Sequence, residues 1–108
     1  MNTPTICVGN LSVGGTGKTP MIEWLLNYLS GGLKLAVLSR GYKRKSKGYV
    51  LAHPSSTTEE IGDEPLQIYS KFPEVDVAVE ADRIKGIEQL ETSLRPDLIL
   101  LDLSLIHI

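Results

Sequence analysis

Apolar residues in this chain fall into two alternating kinds of run. Thr5-Ile6-Cys7-Val8 is a short continuous stretch closed by Gly9, the pattern of a strand buried on both faces. From Lys18 to Leu29, the positions Met21, Ile22, Leu25, Leu26 and Leu29 recur at helical spacing, and Ser30-Gly31-Gly32 supplies a glycine for a left-handed stop. Leu35-Ala36-Val37-Leu38 reads as a second buried strand. A long basic and polar connection follows from Ser39 to Gly62, with a short strand at Tyr49-Val50-Leu51. Asp63-Glu64-Pro65 opens a helix, because two acids and a proline suit a first turn; the pattern runs through Ile68 and stops before Pro73. Val75, Val77 and Val79 alternate as a strand. Asp82 is placed to cap a helix carrying Ile84, Ile87, Leu90 and Leu94; Pro96 breaks it, and Leu98-Ile99-Leu100-Leu101-Asp102 is a further strand. The order β-α-β-loop-α-β-α-β predicts an α/β, doubly wound fold with parallel strands joined by right-handed crossovers.

Composition narrows this picture by exclusion. A length of 108 residues bounds the chain to one domain. With 42% apolar and 22% charged residues it has the make-up of a soluble globular protein. A net charge of −2 gives no electrostatic case for a nucleic-acid partner. The single cysteine, Cys7, excludes a disulfide framework and is expected to fill a buried strand. No run approaches the ~18 apolar residues of a membrane span, and no signal-peptide pattern opens the chain, so a cytoplasmic location is expected.

The chemistry begins at residues 9–20, Gly-Asn-Leu-Ser-Val-Gly-Gly-Thr-Gly-Lys-Thr-Pro. A phosphate-binding loop needs glycines that let backbone N–H groups turn inward, a lysine for the β/γ-phosphates, a hydroxyl for Mg²⁺ and a helix N-terminus facing the anion. Gly14, Gly15 and Gly17 supply the turn, Lys18 the charge and Thr19 the hydroxyl; Val13 and Thr16 complete the loop. Ser12 departs from the pattern G-x-x-x-x-G-K-S/T, which has glycine there, although a small residue can fit. Leu98 to Asp102, an apolar strand ending in an acid, has the form of the strand whose carboxylate holds Mg²⁺ in such proteins; alone, it could equally be a solvated strand end. Together the two elements point to an NTP and Mg²⁺, in an ATPase, a GTPase or a kinase alike.

Two further segments bear on the acceptor. Arg40, Lys43, Arg44, Lys45 and Lys47 put five basic residues within eight positions directly after the second strand. Strand carboxyl ends line the ligand crevice of open α/β sheets, so this cluster is either an anion-binding element or a solvated loop. Gly62-Asp63-Glu64-Pro65 carries two carboxylates that either cap a helix or take part in catalysis.

Taken in order, residues 8–20, 38–48, 62–65 ("GDEP"), 81–86 ("ADRIKG") and 98–102 ("LILLD") resemble the N-terminal part of the tetraacyldisaccharide 4′-kinase family of Gram-negative bacteria. That family carries a small hydroxyl residue where Ser12 stands. The resemblance implies an incomplete, P-loop NTPase-like nucleotide-binding domain over residues 1–108. It implies transfer of the γ-phosphate of ATP, with Mg²⁺, to the 4′-hydroxyl of a lipid-linked disaccharide 1-phosphate at the cytoplasmic face of the inner membrane. Carried over residue by residue, Ser12 to Thr19 would hold the nucleotide, with Lys18 acting on the phosphates in transfer. Thr19 and Asp102 would serve Mg²⁺, Arg83 would bind phosphate, and Asp63, with Glu64 beside it, would be the base or orienter for the sugar hydroxyl. Transfer asks mainly for positioning and charge neutralisation, which this set supplies.

The resemblance has limits. The resemblance leads one to expect a membrane-touching segment ahead of the first strand, whereas Met1 stands only a few residues before that strand. Leu103 stands where the family has a second acid, and Ser104 to Ile108 do not match its Gln-His pair, so His107 has no assigned role. A truncated chain, poorly active as a kinase and marginally stable because one sheet edge is unpaired, is the expectation. The competing expectation is a nucleotide-binding regulatory or assembly module.

Overall fold

The computed structural model describes residues 3–8, 21–29, 31–40 and 44–102. Its elements, in order, are β1 (Thr5–Val8), α1 (Met21–Leu29), β2 (Leu35–Ser39), β3 (Val50–Leu51), α2 (Thr58–Ile61), α3 (Asp63–Lys71), β4 (Asp76–Val79), α4 (Arg83–Ser93) and β5 (Leu98–Asp102). Five strands form one sheet in the order β1-β5-β2-β4-β3, parallel except for β3, which pairs antiparallel with β4. The chain moves from β1 past the place of β5 to β2 and on to β4. Then α4 returns it across β2 to β5, between the two strands it left. That reversal puts a topological switch point at the carboxyl ends of β1, β5 and β2, where open α/β sheets bind ligands.

Alternation along the strands sorts the core onto two faces. Leu35 and Val37 of β2, Val77 and Val79 of β4, and Leu100 of β5 pack with Ile22 and Leu26 of α1, Ile61 of α2 and Ile68 of α3. Ala36, Leu38, Ala78, Ile99 and Leu101, on the other face, pack with Leu90 of α4. The sheet is therefore covered on both sides, as the doubly wound reading requires. It also explains β4: Val77, Ala78 and Val79 are all buried, so the expected alternation of exposed and buried positions does not hold for this central strand. Helices α1 and α3 are further tied by an ion pair. The buried carboxylate of Glu23 receives Lys71 Nζ at 3.0 and 3.3 Å on its two oxygens.

Three local expectations are corrected. β1 is an edge strand with Thr5, Ile6 and Cys7 exposed, so it is not buried on both faces and Cys7 is not core filler. Its partner β5 covers one edge, and among the described residues nothing pairs with the other. Ile84 does not join the apolar face of α4; it is 70% exposed, whereas Leu90 is fully buried. The long connection holds a helix, α2, whose Thr57 and Glu60 form a reciprocal capping box. The helix stop after Leu29 stands: Gly31 and Gly32 both take positive φ. Asp82 caps α4 as expected, its Oδ1 accepting from the N–H groups of Ile84 and Lys85 at 3.1 and 3.2 Å.

One close approach sets how α4 sits. A Cβ on Gly86 would lie 2.6 and 2.7 Å from the two methyl carbons of Leu38, which is itself buried under the helix. Gly86→Val is expected to force α4 off β2 and to cost about 1–3 kcal/mol, the usual range for overpacking. Thermal unfolding measures it, and an unchanged midpoint would mean that the contact is loose.

Candidate active site

At the switch point, Asp102 ends β5 between its register partners, Val8 at the end of β1 and Ser39 at the end of β2. It is only 4% exposed. Leu98 and Leu100 pack on the α1 face, and residue 102 continues that alternation, so the carboxylate belongs to the side of α1. Ser12, Val13, Gly14, Gly15, Thr16, Gly17, Lys18 and Thr19 lie outside the described residues. The chain that contains them joins the end of β1 to α1, the strand and the helix flanking Asp102 on that side.

Beside Asp102 the strand ends open into a crevice of about 420 Å³. Its polar walls are Ser39, Arg40, Glu80, Asp82, Arg83 and Asp102, over a floor that includes Leu38 and Leu101. Arg83 enters because it is the first residue of α4, directly after the Asp82 cap. Neither Arg40 nor Arg83 forms an ion pair among the described residues, and both are exposed at the mouth. Two guanidinium groups at the carboxyl edge of a parallel sheet suit a phosphate, which arginine can bind through paired hydrogen bonds.

The basic segment does not hang free. Lys45 and Ser46 donate their backbone N–H groups to the Glu59 carbonyl at 2.7 and 3.3 Å, the Ser46 hydroxyl donates to the Glu60 carbonyl, and Arg44 donates to Ser46 Oγ at 3.2 Å. The segment is thus docked on α2, and Arg44 is half-buried there. Burial lowers the affinity of its guanidinium for the proton, against the opposing pull of Glu80. Lys43 lies outside the described residues. The alternative of a merely solvated loop does not describe residues 44–46.

Asp63 stands apart. It opens α3, exposed, directly after Gly62, on the sheet face shared with α1, and it is not among the residues lining the crevice. Of the sequence-derived candidates, then, Arg83 and Asp102 come together and Asp63 does not join them in that crevice. Glu64, the neighbour of Asp63, is half-buried. Glu80 was not singled out by the sequence, although an acid directly after a strand was the signal used for Asp102.

Among the described residues, no group of three or more His, Cys, Asp or Glu side chains could hold a metal ion. Mg²⁺ keeps several waters and takes one or two protein oxygens besides phosphate, so a single hard carboxylate such as Asp102 suits it. No described helix is long and apolar enough to cross a membrane.

Comparison with known proteins gives the family. The model of the tetraacyldisaccharide-1-P 4′-kinase family matches residues 1–108. Tetraacyldisaccharide 4′-kinases of Flavobacterium psychrophilum and Bacteroides thetaiotaomicron are 59% and 57% identical over 92% of this chain, corresponding to 29% and 27% of their own lengths. The crystal structure of LpxK from Aquifex aeolicus in complex with ATP superposes with a TM-score of 0.79 at 40% identity, covering 94% of this chain and 33% of that one. The chain thus spans under a third of the length of the curated relatives it matches.

Proposed function

Because the chain belongs to the tetraacyldisaccharide-1-P 4′-kinase family, we propose that it carries the nucleotide-binding part of a kinase that phosphorylates the 4′-hydroxyl of a tetraacylated disaccharide 1-phosphate. The observation that carries this reading is that Asp102 and Arg83 both line one crevice at the switch point; in chain order, Lys18 and Thr19 fall between β1 and α1. The structural relative's bound ATP supports ATP as the donor.

In this reading Ser12 to Thr19 wrap the phosphates with backbone N–H groups, and Lys18 neutralises charge on the transferred group. Thr19 and Asp102 would hold Mg²⁺, which supplies further neutralisation of the phosphate oxygens. Arg83, with Arg40 beside it, binds a phosphate in the crevice. Asp63 accepts the proton of the attacking hydroxyl as its oxygen forms a bond to the γ-phosphorus; the bond to the bridging oxygen breaks and ADP leaves. An acyl-bearing acceptor is found at a membrane surface, which supports peripheral action at the cytoplasmic face of the inner membrane.

The direct test supplies the remaining two-thirds. In a chimera, this chain replaces the matching 29% of the Flavobacterium psychrophilum relative, and phosphorylated product is assayed with tetraacyldisaccharide 1-phosphate and MgATP. Product formation is expected; nucleotide binding and hydrolysis without transfer would favour a regulatory NTPase instead. In the 108-residue chain itself, Lys18→Ala is expected to weaken MgATP binding by more than about tenfold, a loss of one strong charged contact. Calorimetric titration measures it, and equal affinities would remove Lys18 from the site.

A further inference from the structure

Glu23 stands where stability alone would place an apolar residue. It lies in the first turn of α1 near Ile22 and Leu26, both fully buried, and is itself only 5% exposed. Taking a carboxylate out of water is costly, and apolar residues of similar volume usually serve a fold at least as well as a buried ion pair. Lys71, the last residue of α3, meets it: Nζ donates to both carboxylate oxygens at 3.0 and 3.3 Å, while the lysine side chain stays 59% exposed.

What such a pair adds is direction. α3 holds the sheet through buried Pro65 and Ile68, with Leu66 and Tyr69 partly buried. Apolar contacts are non-directional, so they keep a short helix on a sheet without setting its tilt. The bond to Glu23 anchors the end of α3 at a defined point on α1, and with the Ile68 contact it gives the helix two fixed points. Asp63 is the first residue of the same helix, about 12 Å along the axis from Lys71. A tilt of about 5° at the Lys71 end would move the far end of such a rod by about 1 Å. We propose that Glu23 and Lys71 are positioning residues: their pair ties α3 to the helix that follows residues 12–19 and, through the rod of α3, aims Asp63 at the acceptor hydroxyl. This rests on reading Asp63 as the base of a kinase. The role has a distinctive signature. Were the pair only a stabilising contact, exchanging it for well-packed apolar residues would leave turnover unchanged. As a positioning pair, the same exchange keeps the fold and slows transfer.

The test uses the full-length chimera described above, carrying Glu23→Leu with Lys71→Met, in the parent background and in Asp63→Asn. Changing both partners leaves no buried charge unpaired, so the melting midpoint is expected to stay close to that of the parent. KM for MgATP should also stay, while turnover falls by about tenfold, less than a full 1 Å displacement of a reacting group can cost. In the Asp63→Asn background the exchange should cause no further slowing, because both changes act on one step. Parent turnover in the exchanged variant, or an additional loss in the Asp63→Asn background, would overturn the proposal. An exchanged variant that no longer folds would overturn it too, since the pair would then be required by the fold itself. Slow Asp63→Asn beside a fully active exchanged variant removes only the role of Glu23 and Lys71. Full turnover in Asp63→Asn alone removes the base reading and this proposal with it, and a parent chimera that forms no product removes the kinase reading and the proposal together.

Discussion

Asp63→Asn in the chimera is expected to slow phosphoryl transfer by about 10²–10⁴-fold, the usual contribution of a positioned general base, while MgATP binding stays at the parent value. The substitution keeps size and shape and removes only the ability to take the hydroxyl proton. Asp63 is exposed at the first position of α3, so little packing is lost. Its charge also favours the helix N-terminus, which sets the structural cost at about 0.3–1 kcal/mol. A structural role alone would therefore show as a small drop in melting temperature with turnover retained. A catalytic role shows as the reverse, a large drop in turnover with the fold intact. Because Asp63 does not line the crevice of Arg83 and Asp102, nucleotide affinity and turnover should separate cleanly. Parallel loss of both would place Asp63 in nucleotide binding instead.

How far the sequence could reach is visible in particular residues. The apolar runs of β2 and β5 fixed both strands and their burial, because a strand packed on two sides must be apolar throughout. The same pattern in β1 misled: a run tells that a strand forms, but exposure depends on what lies beside it, and Ile6 and Cys7 sit on an open edge. Asp82 was legible as a cap because capping is local chemistry. The Thr57–Glu60 capping box was equally local and legible, but it was hidden in a connection read as irregular. Of the site, Asp102 and Arg83 were reached from motifs, and the fold brings them together. Arg40 and Glu80 join them through pairings between segments distant in the chain: β5 beside β2, and β2 beside β4. No spacing along the sequence encodes such a meeting.

Gly62 is where the fold and the proposed chemistry depend on one backbone conformation. It ends α2, donating its N–H to the Thr58 carbonyl at 2.7 Å, and begins α3, its carbonyl accepting from Leu66 at 3.2 Å. It does both at φ 92° and ψ 161°, a region open to glycine and closed to residues with a Cβ. Gly62→Ala is expected to cost about 1–3 kcal/mol if the conformation is kept. At roughly 4–8 °C per kcal/mol for a domain near this size, the melting midpoint should fall by several degrees or more. The chain can relieve the strain only by rotating φ to negative values, which swings the first turn of α3 and carries Asp63 with it. The chimera with Gly62→Ala should then lose turnover as well as stability, although no charged group has been touched. Displacements of about 1 Å at a reacting group can cost on the order of 10²-fold in rate. MgATP affinity, which the proposed roles assign to residues 12–19, Arg83 and Asp102, should change far less than turnover. An alanine variant that melts and turns over like its parent would show that the α2–α3 turn does not hold Asp63 in place.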